Sequence, residues 1–202
     1  MKTLIELIFE GDLDSIKKRA IKKDYGSYLL TACEEGKLDI VKYFIEELKI
    51  DPTYDQNSPI RGATQRGKFE VVKLLSTYKN VDPTDKGGKI IYNAAHNGKD
   101  QIVEFLLDNY TFSLYSILSG IVGALMNNQE ETAMFILSRN KRDTQKMLNI
   151  LNDESEVREK LEVHLYRYLK YKPYILALFK RYMIESREDI INTILELVKK
   201  KS

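Results

Sequence analysis

Cysteine and histidine are scarce in this 202-residue chain, with one and two copies, and each scarcity removes a class of protein. A lone Cys33 cannot close an internal disulfide, so a disulfide-stapled scaffold is excluded and a reducing compartment is expected. Cys33, His96 and His164 are too few for an all-His/Cys zinc site; carboxylates would have to complete it. Neither sign of charge prevails: 32 Lys and Arg face 30 Asp and Glu, a net of +2. No whole-chain attraction to nucleic acid or anionic lipid follows from that balance. Long hydrophobic runs are missing too. Asn109 to Gln129 is uncharged, but Ser113, Ser116, Ser119, Gly120, Gly123, Asn127 and Asn128 interrupt it. A bilayer span needs about 20 predominantly apolar residues, so this stretch reads as a buried helix and no membrane is expected. The opening MKTLIELIFEGDLD meets acids too early for a secretion signal and reads as an amphipathic helix. The Asn109-Tyr110-Thr111 sequon is accordingly read as chance, and an intracellular place, cytoplasmic or nuclear, is expected.

What the chain does contain is repetition. SYLLTACEEGKLDIVKYFI from Ser27, SPIRGATQRGKFEVVKLLS from Ser58 and KIIYNAAHNGKDQIVEFLL from Lys89 align with one another. Gly36, Gly67 and Gly98 follow at intervals of 31 residues, and Gly11 stands 25 residues before the first of them. Another 31 reaches Gln129, in a decayed copy, GIVGALMNNQEETAMFIL. Each unit reads as two short helices. The first carries apolar and small residues, such as Leu29, Ala32 and Cys33 or Ile91, Ala94 and Ala95, so that a neighbouring helix can approach closely. The glycine then suits a helix C-terminus that needs positive φ. The second helix has apolar residues at helical spacing: Leu38, Val41, Phe44 and Ile45, or Phe69, Val72, Leu74 and Leu75. Neither helix can bury its face alone, so neighbours must stack. The loops KIDPTYDQN and NVDPTDKGG, with Asp-Pro and turn formers, suit projecting hairpin-like connections.

No constellation for chemistry emerges. Asp85-Lys86-Gly87-Gly88-Lys89 lacks the GxxxxGK[ST] spacing of a phosphate loop and is explained as a loop tip. Glu34-Glu35, Glu46-Glu47 and Glu130-Glu131 are adjacent in sequence, so their side chains diverge by ~100° on a helix. The expectation is no enzyme, no cofactor and no metal.

The units resemble the ankyrin repeat family. Ser58-Pro59-Ile60-Arg61 stands where that family has Thr-Pro-Leu-His, Ala63 and Gly67 fall in the family's places, and GKFEVVKLL is close to its second helix. The period and the Asp-Pro-Thr loops are similar to divergent arrays of large DNA viruses and AT-rich genomes. The resemblance implies an all-α fold: an ankyrin-type helix-turn-helix solenoid over 1–138, with 139–202 as a C-terminal helical cap or degenerate repeats. It implies a monomeric scaffold or adaptor holding another protein or peptide on its concave face and loop tips. Carried over position by position, that surface comprises Glu34, Glu35, Gln65, Arg66, His96, Asn97, Asn127 and Asn128 before the turns. The loops add Tyr54, Asp55 and Asn57, then Asp85 and Lys86. The family's loop-tying histidine is replaced by Leu30, Arg61, Tyr92 and Gly123; Arg61 and Tyr92 can supply bonds that the other two cannot, so less regular stacking is expected in the fourth of these units.

Charge is split unevenly: 1–138 carries 17 basic against 20 acidic side chains, and 139–202 carries 15 against 10. Beyond Gly123 there is no glycine, and the repeat grammar stops. Asp153–Glu156 and Ser186–Asp189 have the spacing of helix-opening pairs, and Pro173 suits a first turn. Tyr166, Tyr168, Tyr171, Tyr174 and Tyr182 lie among Arg167, Lys170, Lys172, Lys180 and Arg181. The favoured reading packs these tyrosines with their hydroxyls at the surface. The alternative is an array that delivers a tail module binding nucleic acid or another macromolecule.

Overall fold

A computed structural model describes residues 2–19, 25–84 and 87–143, together with Lys146, Met147, Asn149 and Ala177. Asp85, Lys86 and the tail features from Asp153 to Asp189 lie outside the described residues. The described chain is all-helical: ten α-helices, a π-helical turn and a 3-10 turn, with no strand among those residues.

The helices come in pairs. α1 (Leu4–Glu10) and α2 (Leu13–Lys17) are followed by α3 (Tyr25–Glu35) and α4 (Leu38–Lys42), which runs on into the π turn Tyr43–Glu47. Then come α5 (Tyr54–Gln65) with α6 (Phe69–Ser76), α7 (Lys89–His96) with α8 (Asp100–Asn109), and α9 (Leu114–Met126) with α10 (Glu130–Arg139). The last turn is Lys141–Asp143. α1 opens with a reciprocal cap: the Thr3 hydroxyl accepts the Glu6 N–H at 3.2 Å, and the Glu6 carboxylate accepts the Thr3 N–H at 2.5 Å. α9 uses Ser113, whose hydroxyl accepts the Ser116 N–H at 3.1 Å.

One turn joins the helices within every pair. In the second pair the Gly36 N–H donates to Cys33 O and the Lys37 N–H donates to Ala32 O, at 3.2 and 2.9 Å. The same two bonds recur at Gly67 and Lys68, and again at Gly98 and Lys99. They also close the first pair at Gly11 and Asp12. Gly67 sits at φ +71°, where a Cβ would crowd its own carbonyl. In the last pair the bonds are Asn128 N–H to Leu125 O and Gln129 N–H to Ala124 O, and Asn128 takes φ +58°. Gln129 has instead the φ −93°, ψ 61° of the residue after the turn, as Lys99 does at −93° and 64°. The last interval is therefore 30 residues rather than 31. Asparagine replaces glycine there because it is among the residues that enter the left-handed region at least cost. The shift also places Val122, not Gly123, opposite Leu30, Arg61 and Tyr92.

The pairs pack in series. α1 contacts α3, α3 contacts α5, α5 contacts α7 and α7 contacts α9; α4, α6, α8 and α10 contact one another in the same order. At the shared register lie Ala32, Ala63, Ala94 and Ala124, all with no exposed surface, beside the equally buried Leu29, Ile60, Ile91 and Ile121. One hydrophobic cluster extends from Leu7 to Met147. Fully burying a side chain such as Ile60 or Leu75 contributes roughly 1.5–3 kcal/mol. That exceeds the ~1 kcal/mol scale of one helix cap, so contact between pairs outweighs the caps. The fourth of the aligned units departs in register, by that one-residue shift, yet is closely packed: α7 against α9 is the most extensive helix contact described. Gly123 explains how. A Cβ there would lie 2.9 Å from the backbone oxygen of Tyr92, so only glycine admits so close an approach.

Polar links repeat between neighbours. Asp51 and Asp82 each accept the N–H and hydroxyl of the threonine two residues on, Thr53 and Thr84, at 2.6–2.9 Å. Asn80 donates across to Asp51 at 3.3 Å, tying one loop to the next. Thr132 donates its hydroxyl to Asp100 at 2.5 Å, and Arg139 pairs with Asp108. The Tyr78 hydroxyl donates to Glu46 at 3.0 Å.

Two expectations follow. In urea titrations Gly67→Val should lose about 1–3 kcal/mol, because its φ falls where a branched residue is strained. Its new Cβ would stand 2.9 Å from the flexible Lys99 stem, which can move aside, so a similar loss should persist in a Lys99→Ala background. Tyr78 gives a pH signature. Partial burial, reinforced by its bond to Glu46, raises the phenol from 10.0 to about 12. Between those values the unfolded chain sheds the proton first, so stability should fall as pH rises through that window. Tyr78→Phe should lack this part of the slope when the two proteins are compared by chemical denaturation.

Candidate functional site

The residues just before each left-handed turn form a row, because the same turn ends α3, α5, α7 and α9. Gln65 and Arg66 are exposed, and their side chains make no hydrogen bond or ion pair with the described residues. Glu34 and Glu35 are half-buried; the Glu34 stem lies over Gly62, where a Cβ would come within 2.9 Å of its Cγ. His96 and Asn97 are half-buried and Asn127 and Asn128 exposed. With the turn at Asn128, the two residues before it are Met126 and Asn127, so Asn128 is the turn residue itself.

Several of these side chains are committed internally. The Asn127 amide donates to His96 O at 2.8 Å, clasping the end of α7 to the end of α9. The His96 Nδ1 lies 3.1 Å from Gly123 O, a carbonyl that can only accept, so that nitrogen carries the proton. The ring stacks on Tyr92 with centroids 5.5 Å apart. Asn97 donates to Asn93 O in its own helix at 2.8 Å. His96 and Asn127 thus tie the end of α7 to α9.

The Tyr54 loop is built differently. Asp55, Gln56 and Asn57 all adopt positive φ, of 46°, 56° and 66°. Right-handed helix resumes at Ser58, which leaves Pro59 in a first turn where its missing N–H costs no bond. The carbonyls turned outward are collected by Arg61, which donates to Gln56 O and, at 3.0 Å, to Asp55 O. Ser58 donates to the Asp55 backbone and carboxylate at 2.8 Å each. The Asn57 Oδ1 is buried without a hydrogen-bond partner among the described residues. Tyr54 is 37% exposed, and its ring seats on Gly26, where a Cβ would come within 2.1 Å of it. Asp85 and Lys86 lie outside the described residues.

The lysines after the turns make a second row. Lys37, Lys68 and Lys99 each lay their stems over the turn glycine of the preceding pair, at Gly11, Gly36 and Gly67. Gln129 does the same over Gly98. These glycines therefore serve φ and contact at once.

An open depression of about 660 Å³ borders Asn128, Gln129, Glu130, Glu131 and Met134. Another, of about 430 Å³, lies along the second helices between Leu38, Lys73, Phe105 and Tyr110, and no candidate residue lines it. Among the described residues no group of three His, Cys, Asp or Glu side chains could hold a metal ion. No described helix is long and apolar enough to cross a membrane. Cys33 has no exposed surface, and burial pushes its thiol above the ordinary range.

Sequence reasoning overlooked two residues of the first helix. The rule that selects Glu34 and Glu35 before Gly36 also selects Phe9 and Glu10 before Gly11. Phe9 is the most exposed large hydrophobic side chain described, at 52%, and Ile5, one turn earlier, is 46% exposed. Comparison of the chain with family models, curated proteins and solved structures finds no match.

Because Cys33 is buried and held protonated, a thiol reagent such as DTNB should leave it untouched in native protein at pH 8 and titrate it in denaturant. Rapid reaction in the native state would contradict this burial.

Proposed function

We propose that the helix pairs form an ankyrin-type solenoid and that the chain is a non-enzymatic adaptor, holding another protein or peptide on the row before the turns and on the adjoining loops. The observation that carries this reading is the recurrence of one turn, bond for bond, at Gly11, Gly36, Gly67, Gly98 and Asn128, together with serial contacts of first helix on first helix and second on second. Units built this way contact only their neighbours and present equivalent residues side by side, which makes an extended surface. At its centre the side-chain polar groups of Gln65 and Arg66 are free of internal partners among the described residues, and Tyr54 is partly exposed. Tyrosine and arginine are the types that most often dominate binding energy. His96 and Asn127 belong to the scaffold on this reading, and Arg61 supports the Tyr54 loop rather than meeting the partner.

Affinity capture with the intact chain, read by mass spectrometry, tests the proposal. Changing Tyr54, Gln65 and Arg66 together to alanine should weaken a captured partner by about 2 kcal/mol or more, with far-UV circular dichroism unchanged. A partner retained at full affinity would place the interaction elsewhere.

A further inference from the structure

We infer, building on the adaptor reading, that the surface begins with an apolar anchor at Ile5 and Phe9 and takes an extended partner segment in which a large apolar side chain adjoins a lysine or arginine. Register places the anchor. The Gly11 N–H donates to Ile8 O and the Asp12 N–H to Leu7 O, the bonds made by Gly36 and Lys37 to Cys33 and Ala32. Phe9 is therefore the counterpart of Glu34, Glu10 of Glu35, and Ile5 of Leu30. α1 packs on α3, so these counterparts are neighbours across one helix contact.

Ile5 and Phe9 are one turn apart on one face of α1, and they are 46% and 52% exposed while Leu7 and Ile8 are buried. Leu30 and Glu34 reach over the next pair at Gly62, so the same row turns from apolar on α1 to acidic at the end of α3. Beside the anchor the charges are uneven. Glu10 is paired with Lys2 at 2.7 Å and the Glu6 carboxylate is engaged by Thr3, whereas Glu34 and Glu35 have no ion pair among the described residues. An apolar side chain of the partner gains area on Ile5 and Phe9, and a cation on the side away from the Lys37 ammonium at Gly11 finds two carboxylates that have no ion pair among the described residues. A second copy of this chain fits less well. A two-fold axis along the row would set acid on acid, and one across the row would point the two acidic ends apart, so in neither case does the patch offer Glu34 and Glu35 a cation.

Panning random dodecapeptides displayed on phage against the full chain tests this. Enriched peptides should place a large apolar residue beside Lys or Arg, and synthetic versions should lose about tenfold or more in affinity for the Ile5→Ser/Phe9→Ser variant. Phe9→Lys alone, at the more exposed position, should weaken them similarly. Glu34→Gln/Glu35→Gln should flatten the salt dependence of binding. Peptides without a basic residue, or no enrichment at all, would overturn the inference. Peptides indifferent to the Ile5 and Phe9 changes but lost with Tyr54, Gln65 and Arg66 would remove the anchor and leave the adaptor standing. Indifference to both sets would remove both. A dimer in light scattering that Phe9→Ser converts to monomer would assign the patch to a second copy and overturn the partner proposed here.

Discussion

The left-handed turn between the two helices of a pair is the constraint on which the structure depends. It reverses the chain within two residues while satisfying two carbonyls that a helix end would otherwise leave unpaired. It also sets the phase of everything on either side. Once the bond from the residue after the turn is anchored at Ala32, Ala63, Ala94 or Ala124, the positions of the buried isoleucine or leucine and of the exposed row follow by counting along a helix. Five such turns stand in phase, and in the last four pairs the first helices meet through alanines, where a longer side chain would hold the backbones apart.

The same turn governs which surface residues are free to act. A side chain two residues before the turn points along the row and reaches over the next pair, as Glu34 does over Gly62. Where the next pair offers an acceptor, the side chain is taken up by the scaffold, as His96 is by Gly123 O. Among the described residues the side chains of Gln65 and Arg66 find none, and both residues are exposed. Exposure along the row is thus decided by what the neighbour presents. The uneven mixture of apolar, acidic, basic and amide groups is a property of the packed pairs, not of any one repeat.

Much of the fold was legible because its signals are local and periodic. A glycine every 31 residues, small residues before it and an amphipathic run after it suffice to place two helices and a positive-φ turn. The three left-handed residues at Asp55, Gln56 and Asn57 were not legible, since nothing in Asp-Gln-Asn demands them. They depend on Arg61, several residues on, collecting the carbonyls they turn outward. The last unit misled for a similar reason. Counting by 31 places Gln129 at the turn, and only the backbone bonds show that Asn128 takes it and that the interval shortens by one. The candidate residues were identified by position alone, which cannot distinguish Arg66, whose side chain has no partner among the described residues, from the clasped Asn127.

Sequence by itself determined the repeating unit: helical periodicity, glycine at the turn, alanine at the contact and Asp-Pro-Thr in the loop are each dictated within a few neighbouring residues. Only the tertiary structure decided which of those equivalent positions are used up in holding the pairs together and which still face outward. That choice depends on distances between residues about 30 apart in the chain, and a one-residue change of interval is enough to alter it. Local propensity has no term for such distances; packing of one pair on the next supplies it.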